Sequence, residues 1–124
     1  MLQFSGWTYM LASGKEGTLY CGVTTDLLRR VWMHKEGLAS NYTRRYGVTS
    51  LVWYEPHAQV EHASRRVDLI RHRSRQWKLD FISRVNPEWI DLYHVIMALP
   101  EVPACTFLVA PLAASGPRLV TARV

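Results

Sequence analysis

The sequence predicts one small α+β domain, and three observations carry that expectation. A chain of 124 residues and 14.3 kDa is a single domain's length of polypeptide. Its 48% hydrophobic and 20% charged residues make an ordinary globular composition, which excludes collagen-like, coiled-coil and wholly disordered classes. Short runs of aromatic and β-favouring residues alternate with segments whose apolar residues recur at helical spacing, in the order ββαβαα.

Trp7 to Ala12 and Thr18 to Val23 read as two strands, joined by Gly14-Lys15-Glu16-Gly17 in a hairpin. Asp26 stands where an N-cap belongs, Leu27 to Glu36 carries apolar Leu27, Leu28, Val31 and Trp32, and Gly37 supplies a stop. Ser50 to Glu55 reads as a third strand ended by Pro56. Val60, Ala63, Val67 and Ile70 then form an apolar stripe along a basic helix expected over Ala58 to Arg73. Gln76 to Arg84 predicts another helix, followed by a break and closing turn at Asn86-Pro87-Glu88-Trp89.

Composition shifts near Tyr93. Residues 1–93 hold 13 Lys/Arg and 9 Asp/Glu, whereas 94–124 hold only Glu101, Arg118 and Arg123 as charged residues. The expected organisation is therefore a domain over 1–93 and a proline-containing apolar tail over 94–124, loosely structured. Its uncharged run from Val102 to Pro117 is shorter than the about 20 apolar residues a membrane span needs, so no membrane partner is expected. Cys21 and Cys105 are far apart and the start shows no cleavable signal, so the expected location is a reducing cytoplasm. A net charge of +5 points to an anionic partner such as nucleic acid. Oligomeric state is left open.

With the connection at Gly14 to Gly17, Ser13 faces Thr18, Leu11 faces Tyr20 and Tyr9 faces Gly22. Tyr9 and Tyr20 then emerge on one face of the sheet as diagonal neighbours, about 7 Å apart. Gly22 opposite Tyr9 either opens backbone to a ligand or lets the ring pack. Arg30 and His34 lie four apart on the following helix and share a face. Such a pair suits phosphate, because guanidinium matches two phosphate oxygens and imidazole exchanges protons near neutrality; it is equally an ordinary solvated face.

These residues, in this order, resemble the GIY-YIG nuclease superfamily. The resemblance runs through Trp7-Thr8-Tyr9-Met10-Leu11, Gly17-Thr18-Leu19-Tyr20-Cys21-Gly22-Val23-Thr24 and Arg29-Arg30-Val31-Trp32-Met33-His34. Arg45-Tyr46-Gly47-Val48, Leu51-Val52-Trp53-Tyr54-Glu55 and Asn86-Pro87-Glu88-Trp89 narrow it to small stand-alone bacterial members. It covers Trp7 to Tyr93; Trp7 and Thr8 replace the Gly and Ile of the first motif, and the second reads Tyr-Cys-Gly.

The resemblance implies a three-stranded antiparallel sheet flanked by helices and a divalent-metal-dependent endonuclease acting on DNA with Mg2+ or Mn2+. It implies that Tyr20 helps activate the attacking water and that Arg30 binds the phosphate, with Tyr9 and His34 completing the site. A phenol ordinarily titrates near about 10, so such a base needs a neighbouring cation or metal-bound water. His34 could hold a phosphate oxygen, orient Tyr20 or be a plain surface histidine.

One position departs from the pattern. The resemblance places a metal-ligating glutamate where this chain has Val67, and a hard cation requires oxygen ligands. Asp68 is rotated by roughly 100° and Glu61 is almost two turns away, roughly 9 Å along the axis, so neither replaces it. Weakened turnover, or an inactive nucleic-acid-binding module of the same fold, is the expectation, and Val67→Glu should raise activity if only this ligand is missing. Arg29, Arg44, Arg45 and Arg66, with Asn86, are the expected nucleic-acid contacts, directed at the backbone rather than the bases.

Overall fold

In the computed structural model, which describes residues 4–98, the hairpin closes as the spacing predicts. Gly17 N–H donates to the Gly14 carbonyl at 3.0 Å, and Ser13 N–H to the Thr18 carbonyl at 3.0 Å. This closure sets the register of β1 (Gly6–Ala12) against β2 (Leu19–Thr24), with Tyr9 opposite Gly22 and Leu11 opposite Tyr20. Strand β3 (Ser50–His57) pairs with the other edge of β1, also antiparallel, which gives the sheet order β2-β1-β3.

Helix α1 (Leu27–Lys35) begins at Asp26, whose side chain accepts from Arg29 N–H. A short α2 (Asn41–Tyr46) follows, capped by Ser40 and ended by Gly47 at φ 64°. Then come α3 (Val60–Arg71), α4 (Arg75–Val85) and α5 (Leu92–Met97). The three-stranded antiparallel sheet flanked by helices is therefore the α+β fold expected, with α2 and α5 added to the predicted order.

Two boundaries differ from expectation. Pro56 does not end β3, which runs on to His57; β3 is an edge strand, so the N–H that proline lacks is not required by a second neighbour. Helix α5 crosses the compositional shift at Tyr93, and Ile96 is buried in the core. Residues 99–124, most of the expected tail, lie outside the described residues.

Every residue of β1 is buried, and its alternate side chains feed two cores. Trp7, Tyr9 and Leu11 pack with Leu27 and Val31 of α1, with Val48, Leu51 and Ile96. Met10 and Ala12 pack on the opposite face with Cys21, Val67, Ile70 and Ile82. Asp91 fastens the first core: its Oδ1 accepts from Leu51 and Tyr93 N–H, each at 3.1 Å, and its Oδ2 pairs with Lys35 Nζ. One carboxylate thus holds α1, β3 and the start of α5 together. Among the described residues no helix is long and apolar enough to cross a membrane.

Candidate active site

The β1–β2 register brings Tyr9 and Tyr20 onto one face, with ring centroids 6.2 Å apart. Gly22 is required there. A Cβ added at residue 22 would lie 2.6 Å from both Cζ and Oη of Tyr9 and 3.0 Å from Cε2 of Tyr20, so the absent side chain is the space the Tyr9 ring occupies. The residue admits packing rather than a ligand.

Leu27, Val31 and His34 form the buried line of α1. His34 is 1% exposed, so it is not the solvated histidine that its spacing from Arg30 allows. Both its ring nitrogens are taken: Nε2 lies 2.9 Å from Tyr9 Oη, and Nδ1 lies 2.9 Å from Thr43 Oγ1. The directions follow from the far end. Thr43 Oγ1 donates to the Ser40 carbonyl at 3.2 Å, so it accepts from His34 Nδ1–H, and Nε2 accepts from the Tyr9 hydroxyl. With both nitrogens engaged, His34 has none left for a phosphate oxygen.

Electrostatics agree with that proton arrangement. Burial first, then the positive charge of Arg30, lower the His34 pKa from 6.5 to about 4, which keeps the ring neutral. Burial first, then the Tyr20 phenol, push Tyr9 well above the ordinary phenol range, while Arg30 pulls it back. The guanidinium therefore lies close enough to act on both members of the buried pair. Arg30 itself is half-buried and pairs with no carboxylate among the described residues. Tyr20 is also half-buried, and its ring meets His34 at 5.1 Å and Tyr42 at 6.3 Å. Two phenols, an imidazole and a guanidinium thus converge, with Tyr20 and Arg30 as their partly exposed members.

The other expected contacts divide into two groups. Arg29, Arg44 and Arg45 are exposed, and Arg45 lies 5.5 Å from the Tyr46 ring centre. Asn86 is instead engaged inside the fold, and Arg66, a third exposed, is engaged by its neighbours. Arg66 Nε donates to Glu55 Oε1 at 3.0 Å and its guanidinium lies over the Trp53 and Phe81 rings. Asn86 is 6% exposed, donates to the carbonyls of Val52 and Ile90, and accepts from Ile90 N–H. Its amide locks the turn after α4. Sequence reasoning missed Thr43, although Ser40 before it and Gly47 after it carry the capping signature of a short helix.

Val67 is 2% exposed and belongs to the Met10 core, across the sheet from the Tyr9 ring. An apolar wall offers a hard cation no oxygen, and among the described residues no three His, Cys, Asp or Glu side chains group as a metal centre. The residues present do not fit the implied metal.

The family model described as the GIY-YIG catalytic domain matches residues 5–80. A UPF0213 protein of Streptococcus agalactiae is 33% identical over 88 residues, which cover 71% of this chain and 99% of that protein. A UPF0213 protein of Clostridium perfringens is 35% identical over 69 residues, or 56% of this chain and 74% of that one. The solution NMR structure of a UPF0213 protein from Bacillus halodurans is 31% identical, covers 69% of this chain and 90% of that one, and has a TM-score of 0.44.

Proposed function

The chain belongs to the GIY-YIG family, and from that membership we propose that its site grips a backbone phosphate of DNA and hydrolyses the phosphodiester bond slowly. The observation that carries this reading is the convergence of Tyr20 and Arg30 over the buried Tyr9–His34 pair. Arg30 is always charged and, though it hydrogen-bonds Tyr9, pairs with no carboxylate among the described residues, so its remaining N–H groups can donate to phosphate oxygens and oppose negative charge as it builds. Tyr20 faces the same space and takes the role of orienting the attacking water through its hydroxyl. Tyr9 and His34 are positioning residues, since neither reaches solvent.

GIY-YIG nucleases generally use a divalent cation, and Mg2+ or Mn2+ is the ion tried first. Val67 supplies no ligand for it, so no step is assigned to the metal. The same residue favours a second reading: a module that binds nucleic acid and does not cut it.

Incubation with duplex, branched and single-stranded DNA in Mg2+ or Mn2+ separates the two. Slow cleavage, lowered about a hundredfold in Arg30→Ala, supports the first. Cleavage untouched by that change removes Arg30 from the site. Salt-sensitive binding without cleavage favours the second, and cleavage gained in Val67→Glu would show that one ligand is what the chain lacks.

A further inference from the structure

Beside Tyr20 lies a cleft of about 250 Å3 that the site above does not use, lined by Thr18, Leu19, Tyr42, Arg75 and Lys78. It runs between the end of the hairpin, α2 and the first turn of α4. Leu19 faces the other side of β2 from Tyr20, so the cleft meets the site at the strand edge through Tyr42, whose ring lies 6.3 Å from that of Tyr20. Tyr46 extends the aromatic row, 5.1 Å beyond Tyr42. Tyr42 and Tyr46 are 45% and 49% exposed.

The cations are set in place and unneutralised. Arg75 Nη2 donates to the carbonyls of Glu16 at 2.8 Å and Gly17 at 2.9 Å, which fixes the guanidinium against the hairpin, while among the described residues its other N–H groups make no hydrogen bond. Lys78 Nζ reaches the Arg71 carbonyl at 3.3 Å. Among the described residues neither pairs with a carboxylate.

Exposed rings beside fixed positive charge match the chemistry of an unpaired nucleotide. A tyrosine face stacks on a base only when that base has lost its neighbour or its pairing, because in a duplex both faces are covered. We infer that the cleft is a subsite for single-stranded nucleic acid next to the scissile phosphate, with Tyr42 stacking a base and Arg75 and Lys78 taking its phosphate. The inference rests on the proposed phosphate site at Arg30 and names the form of substrate that site receives: a single strand or frayed end.

The test measures anisotropy of a labelled oligothymidylate and a blunt duplex of equal length, with the full chain, in chelator and across a salt series. Tyr42→Ala should weaken single-strand binding about tenfold and leave duplex binding unchanged, while Tyr42→Phe, which keeps the ring, binds as the parent does. Lys78→Gln should reduce the salt slope on the single strand by about 0.7. Parent-like single-strand binding by Tyr42→Ala, with Arg30→Ala still weakened, overturns the subsite and leaves the phosphate site standing. Equal losses on single strand and duplex overturn the preference for unpaired bases. Parent protein that binds neither overturns the phosphate site as well.

Discussion

His34 Nε2 and Tyr9 Oη lie 2.9 Å apart in a core that excludes water from both. Burial of that imidazole, with the Arg30 charge beside it, makes folding sensitive to mild acid. The folded imidazole titrates near 4 and the unfolded one near 6.5, so between those values the unfolded chain binds the extra proton. The contribution of His34 is present in full above about pH 6.5 and is lost as pH falls toward 4, up to about 3 kcal/mol. Urea midpoints over that window should fall with pH in the parent and fall less in His34→Gln. Parallel curves would remove His34 as the sensor.

The tautomer is equally open to measurement. Nitrogen NMR should show His34 protonated on Nδ1 at neutral pH, donating to Thr43. Thr43→Val keeps the shape but removes the acceptor, which should cost about 1–3 kcal/mol and let the proton move to Nε2. A parent spectrum showing Nε2–H would reverse the bonds to Tyr9 and Thr43 and cost Thr43 its donation to the Ser40 carbonyl.

Gly22→Ala places a methyl group where the Tyr9 ring lies. The expected outcome is a loss of about 1–3 kcal/mol from overpacking, together with weaker phosphate binding as the ring is displaced toward Tyr20. Unchanged thermal stability would mean that the ring has room the structure does not show.

Val67→Glu introduces a carboxylate into the Met10 core. Burying that polar group without a partner should cost about 3 kcal/mol or more, read as a lower urea midpoint. Val67→Leu, nearer in character, should cost less than about 1.5 kcal/mol. If the two variants melt alike, the glutamate has found water or a partner.

Much of this geometry could be read from the chain, and the parts that could not have physical reasons. The Tyr9 to Gly22 register was legible because a four-residue connection leaves little choice of pairing. Helix α2 was not, since its six residues contribute one buried side chain, Thr43, and so carry no apolar stripe. The depth of His34 had a signal that went unused: it completes the 4, 3 spacing of Leu27 and Val31, and a histidine on that line turns inward. Arg66 and Asn86 looked available because their partners are distant in sequence: Glu55 lies 11 positions from Arg66 and Val52 lies 34 from Asn86. Charge and amide in the text of a sequence do not declare whether the fold has already engaged them.

Strand β1, walled in on both sides, makes the molecule one cooperative unit. A disturbance in the α3 core reaches Tyr9 through a backbone both cores share, so the Tyr9 amide should exchange with solvent only when the whole domain opens. Lost cleavage in a variant of either core therefore reports the folded population before it reports chemistry.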